Sequence, residues 1–255
     1  FAITDNLCYN IKKVGERGIA APFAALFRRF GVLVGALLFA AFVAAGNRNH
    51  YGIETDVHVT VDGKFVCIHD DTTGRVAIDN LVVEESTFDT LRNLLLTDVD
   101  GKKGRTDLRI PTLQEYIQIC KKYGKVAVLE LKNHFTPENV MRIVDVIKGE
   151  GYLEHVIFIS FDYENMLTIR RLLPDQPAQF LTKEIDDALI ENLEKDHLDL
   201  DVKHVALTKE MIDTLHAHNI VVNCWTVDDP ARAEELVSWG IDYITSNILQ
   251  AGSAR

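Results

Sequence analysis

Residues 52–75 read GIETDVHVTVDGKFVCIHDDTTGR, and the fold assignment starts from them. The first six residues are rich in β-formers and predict a buried strand over 52–57. Glu54 and Asp56 are two apart on that strand, so both side chains take the same face. On an outer face packed by helices, two unpartnered carboxylates would be costly. In the mouth of a barrel they would repel each other unless a cation sat between them. A solvated strand end is the competing reading of these two residues taken alone. Val61-Asp62-Gly63-Lys64 carries the Asp-Gly signal of a hairpin turn, so 65–69 is expected to return antiparallel, as an excursion from the main sheet.

Outward from this stretch, short apolar runs alternate with amphipathic segments. Further strands are expected at 126–131, 155–160, 178–181, 198–202, 220–226 and 242–246. Helix signals separate many of them. Thr112 with Glu115 forms a capping box after Pro111. Thr136-Pro137 and Asp229-Pro230 each pair an N-cap with a proline in the first helical position. Gly124 and Gly240 stand where helices close. This alternation implies a parallel sheet covered by helices, and the expected fold is an α/β (β/α)8 TIM-type barrel. An open doubly wound sheet is the alternative, but neither a G-x-G-x-x-G nor a G-x-x-x-x-G-K-[ST] loop supports it. Seven parallel strands follow residue 52, and the apolar stretch before residue 46 is the expected supplier of the eighth.

Lys125–Lys132 reads KVAVLELK. Ala127, Leu129 and Leu131 form one purely apolar face, suited to packing against helices. Val126, Val128, Glu130 and Lys132 then face inward, with Glu130 and Lys132 at the C-terminal end of the strand, where barrels of this type carry their chemistry. A third carboxylate beside Glu54 and Asp56 makes an oxygen-rich site for a hard divalent cation, Mg²⁺ or Ca²⁺. Lys132 either holds a phosphate oxygen or neutralises Glu130 or Asp56. His69, at the end of the hairpin excursion, is a candidate proton carrier near such a site. Trp225 on a late strand either walls a pocket or belongs to the core. His50 precedes its strand and so belongs at the other end of the barrel.

The 255 residues, 47% hydrophobic, suffice for one large domain. A net charge of -11 argues against a nucleic-acid partner. It leaves an anionic substrate open, because a bound cation can invert the local field. Cys8, Cys67, Cys120 and Cys224 are scattered without a C-x-x-C pair, which favours a reducing, cytoplasmic setting. Residues 30–46, FGVLVGALLFAAFVAAG, are uncharged and flanked by Arg28, Arg29 and Arg48. They are read as buried structure, with a membrane anchor or export signal as the alternative. An anchor there would remove a barrel strand and expose an edge, so membrane association is not favoured.

These residues together resemble the glycerophosphodiester phosphodiesterase family. The run 52–75 is similar to its signature through Glu54, Asp56, Thr60, Asp62, Gly63, His69, Asp70 and Arg75. The resemblance continues through Ile110-Pro111-Thr112-Leu113 with Glu115, Glu130-Leu131-Lys132, Ser160-Phe161, Trp225-Thr226-Val227 and Ile244-Thr245-Ser246. It implies a phospholipase-C-like phosphodiesterase barrel over 39–250, with 1–38 as an atypical N-terminal segment that supplies the first strand. It implies metal-dependent hydrolysis of a small-molecule glycerophosphodiester to glycerol 3-phosphate and an alcohol. Glu54, Asp56 and Glu130 would be the metal ligands, His69 an acid–base residue, Lys132 a catalytic phosphate contact and Trp225 a substrate contact. The family also opens with His-Arg-Gly on its first strand and Glu-Asn-Thr soon after, and neither motif is intact here. A catalytically degenerate barrel that binds metal or phosphodiester without turnover is therefore the second expectation.

Overall fold

The computed structural model describes residues 9–12, 39–97, 104 and 108–249. Seven parallel strands follow one another around a barrel: β2 (Gly52–Val59), β4 (Val126–Leu131), β5 (Val156–Ser160), β6 (Ala178–Thr182), β7 (Asp199–Lys203), β8 (Val222–Trp225) and β9 (Tyr243–Ser246). β1 (Tyr9–Lys12) pairs antiparallel with both β9 and β2 and closes the ring. The slot between β2 and β9 is thus held by a strand of reversed direction. Residues 30–38 of the apolar run lie outside the described residues, and 39–46 form helix α1 (Phe39–Gly46). No helix among the described residues is long and apolar enough to cross a membrane.

The hairpin forms where expected. β3 (Phe65–Cys67) pairs antiparallel with β2, Val57 facing Cys67 and Val59 facing Phe65. Asp62 Oδ1 accepts from Thr60 Oγ1 (2.7 Å) and from the Phe88 backbone N–H (2.8 Å), and Gly63 takes φ 71°, which a side chain would strain. Thr60, Asp62 and Gly63 are turn-makers. The chain then makes an excursion with α2 (Phe88–Arg92) and its own small core, built from Val66, Ile68, Val83, Leu91, Leu96 and Ile110 among others.

Helices α3 (Leu113–Tyr123), α4 (Pro137–Gly149), α5 (Tyr163–Leu172), α6 (Asp187–Asp196), α7 (Lys209–Ala217) and α8 (Pro230–Trp239) cover the strands. The Thr112–Glu115 capping box is present on both sides, Thr136 and Asp229 cap helices beginning at Pro137 and Pro230, and Gly124 and Gly240 close theirs in the left-handed region. The main apolar layer lies between sheet and helices, and Ala127, Leu129 and Leu131 belong to it. Val128, Ile157, Ile159 and Leu181 form a separate apolar group inside the barrel. The alternation read from KVAVLELK is therefore realised. Tyr116 of α3 donates its hydroxyl to Ile53 O (2.7 Å), with Val128 O at 3.2 Å, fixing the β2–β4 junction from outside.

Candidate metal centre and barrel mouth

The β2–β4 register puts Asp56 opposite Glu130 and Glu54 opposite Val128. Paired residues of parallel strands present their side chains to the same face, so all three carboxylates enter the barrel near the C-terminal strand ends. Glu54, Asp56 and Glu130 are 8%, 2% and 6% exposed. Each offers an oxygen within 4.8 Å of the others. Lys132 Nζ donates to Asp56 Oδ1 at 2.8 Å and stands 3.5 Å from Glu130 Oε1.

Charge balance follows from this packing. Burial drives the Glu130 carboxyl well above the ordinary carboxylate range, and the nearby Asp56 adds to the rise. Burial pulls the Lys132 ammonium down, but Asp56 and Glu130 outweigh it and hold the group charged. Glu130 Oε1 is buried and accepts no hydrogen bond from the described residues. Three carboxylates answered by one lysine, with one oxygen left unsatisfied, fit a hard divalent cation bound by oxygen ligands.

His69 reaches this neighbourhood through the hairpin. Ile68 N–H donates to Asp56 O (3.1 Å), so the next residue emerges beside the carboxylate strand. His69 Nδ1 hydrogen-bonds Asp70 Oδ1 at 2.8 Å, and Arg75 Nε donates to Asp70 Oδ2 at 2.5 Å. Partial burial raises the Asp70 carboxyl, but the Arg75 and His69 bonds outweigh it and bring it down to about 2. An ionised Asp70 fixes the half-exposed imidazole through Nδ1.

Trp225 is half-buried at the end of β8. It packs against the apolar group inside the barrel, while its ring meets the edge of Phe161 at 5.6 Å (81° between planes). Phe161 is 43% exposed, a large apolar ring left at the mouth. Its role was hidden in the sequence, because the contact joins strand ends 64 positions apart; the Ser160-Phe161 pair was the only signal. Ser160 supports the same rim by donating to Leu131 O (2.7 Å), while Asn165 donates to Ser160 Oγ and to Asn133 O.

Two buried polar residues were not singled out from sequence. His58, two residues beyond Asp56, is fully buried, and its Nδ1 hydrogen-bonds Glu84 Oε1 (3.1 Å). Asp201 faces the barrel interior in register with Leu181 and Asn223. It is 2% exposed, and its Oδ1 has no hydrogen-bond partner among the described residues. The alternating Asp199-Leu200-Asp201-Val202 pattern looks like a strand with one solvated face, which is why Asp201 escaped notice. His50 is buried at the opposite, N-terminal end of β2.

A barrel that gathers acids and a lysine at the C-terminal ends of two neighbouring strands belongs to the class of α/β barrels with a carboxylate centre at the mouth. The chain is a member of the glycerophosphoryl diester phosphodiesterase family, whose sequence model matches residues 39–250. A glycerophosphodiester phosphodiesterase of Caldanaerobacter subterraneus subsp. tengcongensis is 25% identical over 214 residues, covering 82% of this chain and 86% of the relative. A crystal structure of a glycerophosphodiester phosphodiesterase from Parabacteroides distasonis superposes with a TM-score of 0.69 at 27% identity, over 82% of this chain and 85% of that one. An Oleispira antarctica phosphodiesterase, solved in complex with the product sn-glycerol-3-phosphate, superposes with a TM-score of 0.74 at 24% identity, over 82% and 86% of the two chains.

Proposed function

We propose that residues 39–250 form a divalent-cation-dependent hydrolase that cleaves glycerophosphodiesters to glycerol 3-phosphate and an alcohol. The observation that carries this reading is the buried carboxylate cluster with its unsatisfied Glu130 Oε1. Family membership and the product bound by the Oleispira antarctica relative support it. Glu54, Asp56 and Glu130 would hold the cation. A cation bound there supplies Lewis-acid polarisation of a phosphoryl oxygen. Lys132, held charged between Asp56 and Glu130, stabilises negative charge on the phosphoryl group as it develops. Hydrolysis breaks the bond between phosphorus and the leaving alcohol's oxygen, and water supplies the new P–O bond. His69, oriented by Asp70, carries a proton at Nε2 for the leaving oxygen. Phe161 and Trp225 line the side of the mouth where the alcohol would lie.

A second reading has its own observation. The first-strand slot is filled by Tyr9-Asn10-Ile11-Lys12, which carries no histidine and runs antiparallel. A barrel without the first-strand histidine of the family motif would bind cation and diester with little turnover. Release of glycerol 3-phosphate from glycerophosphocholine and glycerophosphoethanolamine, with Mg²⁺ or Ca²⁺, separates the two. The hydrolase reading expects release that falls about 10³-fold or more in Glu130→Gln. Calorimetric cation binding with no release above that variant would establish the second reading.

A further inference from the structure

The end of β7 offers a cation that the hydrolytic reading leaves unused. Lys203 is the last residue of the strand and shares its parity with Asp199 and Asp201, on the inward row. It pairs in register with Trp225 on β8. Adjacent strands lie about 4.8 Å apart, so the lysine starts beside the indole at the barrel mouth. Its side chain is exposed and forms no hydrogen bond or ion pair among the described residues. Lys183, just past β6, is likewise exposed and without a hydrogen bond or ion pair among the described residues, next to Glu184, whose side chain is equally unpaired, whereas two other lysines are held. Lys132 is held by Asp56 and Glu130, and Lys125 donates to the carbonyls of Arg48 and His50.

Three of the acids at this end of the barrel are engaged elsewhere. Asp228 accepts from Ser246 Oγ and from both the backbone and side-chain nitrogens of Asn247. Asp162 accepts from Asn165 N–H and pairs with His134. Asp229 caps α8. Arg232 donates to the carbonyls of His204 and Leu207, adding positive charge just beyond the strand. Burial lowers the pKa of His204, and the charges of Arg232 and Lys203 lower it further against the opposing charge of Asp229.

A half-buried indole and an exposed phenyl ring meeting nearly at right angles would ordinarily suit an ammonium head group through cation–π attraction. A free lysine beside one of those rings opposes it and attracts the opposite charge. We infer that Lys203 is a specificity-determining residue of the mouth, selecting glycerophosphodiesters whose alcohol carries an anionic group. This rests on the hydrolytic reading of the same site and goes further by naming the substrate class.

The test uses three diesters of glycerol 3-phosphate, with glycerate (anionic), glycerol (neutral) and choline (cationic) as the alcohol. Each is assayed for kcat/KM and, with Ca²⁺ present, for calorimetric Kd, on the whole chain and on Lys203→Gln and Lys203→Glu. The expected order is glycerate, glycerol, choline. The glycerate-to-choline ratio should fall about tenfold in Lys203→Gln and invert in Lys203→Glu. Ratios unmoved by either substitution, an equal loss for all three diesters, or no binding of any diester would overturn the inference. Charge-selective binding without turnover sinks only the hydrolytic reading. Turnover whose selectivity ignores Lys203 sinks only this one.

Discussion

Two groups of acids stand inside one barrel and are handled in opposite ways. On the β2–β4 side, Glu54, Asp56 and Glu130 crowd around a lysine, near enough to share a cation. On the β7–β8 side, Asp201 is equally buried and has no charged partner among the described residues, and burial alone drives its carboxyl well above the ordinary range. Its neighbours Gln179, Asn223 and Thr245 hydrogen-bond among themselves: Asn223 Nδ2 donates to Gln179 Oε1 (3.2 Å), and Thr245 Oγ1 to Asn223 Oδ1 (3.4 Å). A dry carboxyl solves its electrostatic problem by staying neutral, whereas a crowded group solves it by taking in positive charge. Burial alone does not mark a site; burial together with excess charge does.

The comparison breaks most severely if the lysine is removed. Lys132→Met leaves Asp56 and Glu130 buried without their cation and should cost about 3–5 kcal/mol of stability in metal-free buffer. Urea unfolding with and without Ca²⁺ measures this, and added Ca²⁺ should recover part of the loss. An unchanged midpoint would mean that the cluster is not held together by charge.

Asp70 gives an intermediate case, an acid held ionised at about 2 by a guanidinium rather than by a crowded centre. Asp70→Asn removes the carboxylate that orients His69 and should lower kcat/KM about tenfold, while cation affinity, read by calorimetry, stays as it was. Equal losses in both would place His69 among the groups that hold the cation.

The smallest effect is expected at Asp201 and is best read as a slope. Its folded-state pKa lies above that of the unfolded chain, so the unfolded state loses its proton first. The stabilising share of the protonated form is complete below the unfolded value, about 4, and declines as pH rises toward the folded value. Asp201→Asn removes that titration. Relative to the parent, the variant should gain stability between pH 4 and pH 8, measured as a widening gap between urea midpoints. A gap that does not change with pH would show that Asp201 is charged and paired in solution.

What could be read from the chain alone depended on how locally each feature is encoded. The strand KVAVLELK declared its faces because one parity is wholly apolar and the other ends in Glu130 and Lys132. Caps at Thr112, Thr136 and Asp229 were legible because each is settled within four residues. Asp201 was not, since alternating acids on a strand look the same whether they face water or a barrel interior. Phe161 meets Trp225 only after five intervening α-helices and strands have folded. The strand between β2 and β9 is chosen by pairing across most of the chain, and no local pattern announced that Tyr9–Lys12 would run antiparallel there.

The contact from Lys132 to Asp56 joins residues 76 positions apart, and the excursion with its separate small core lies within that loop. Closing a flexible loop of this length costs about 4 kcal/mol of chain entropy before any ligand set exists. A cation that needs both strands in register would therefore bind only after that closure. It would act as a latch on the finished barrel, lengthening the lifetime of the native state while leaving the time needed to reach it unchanged.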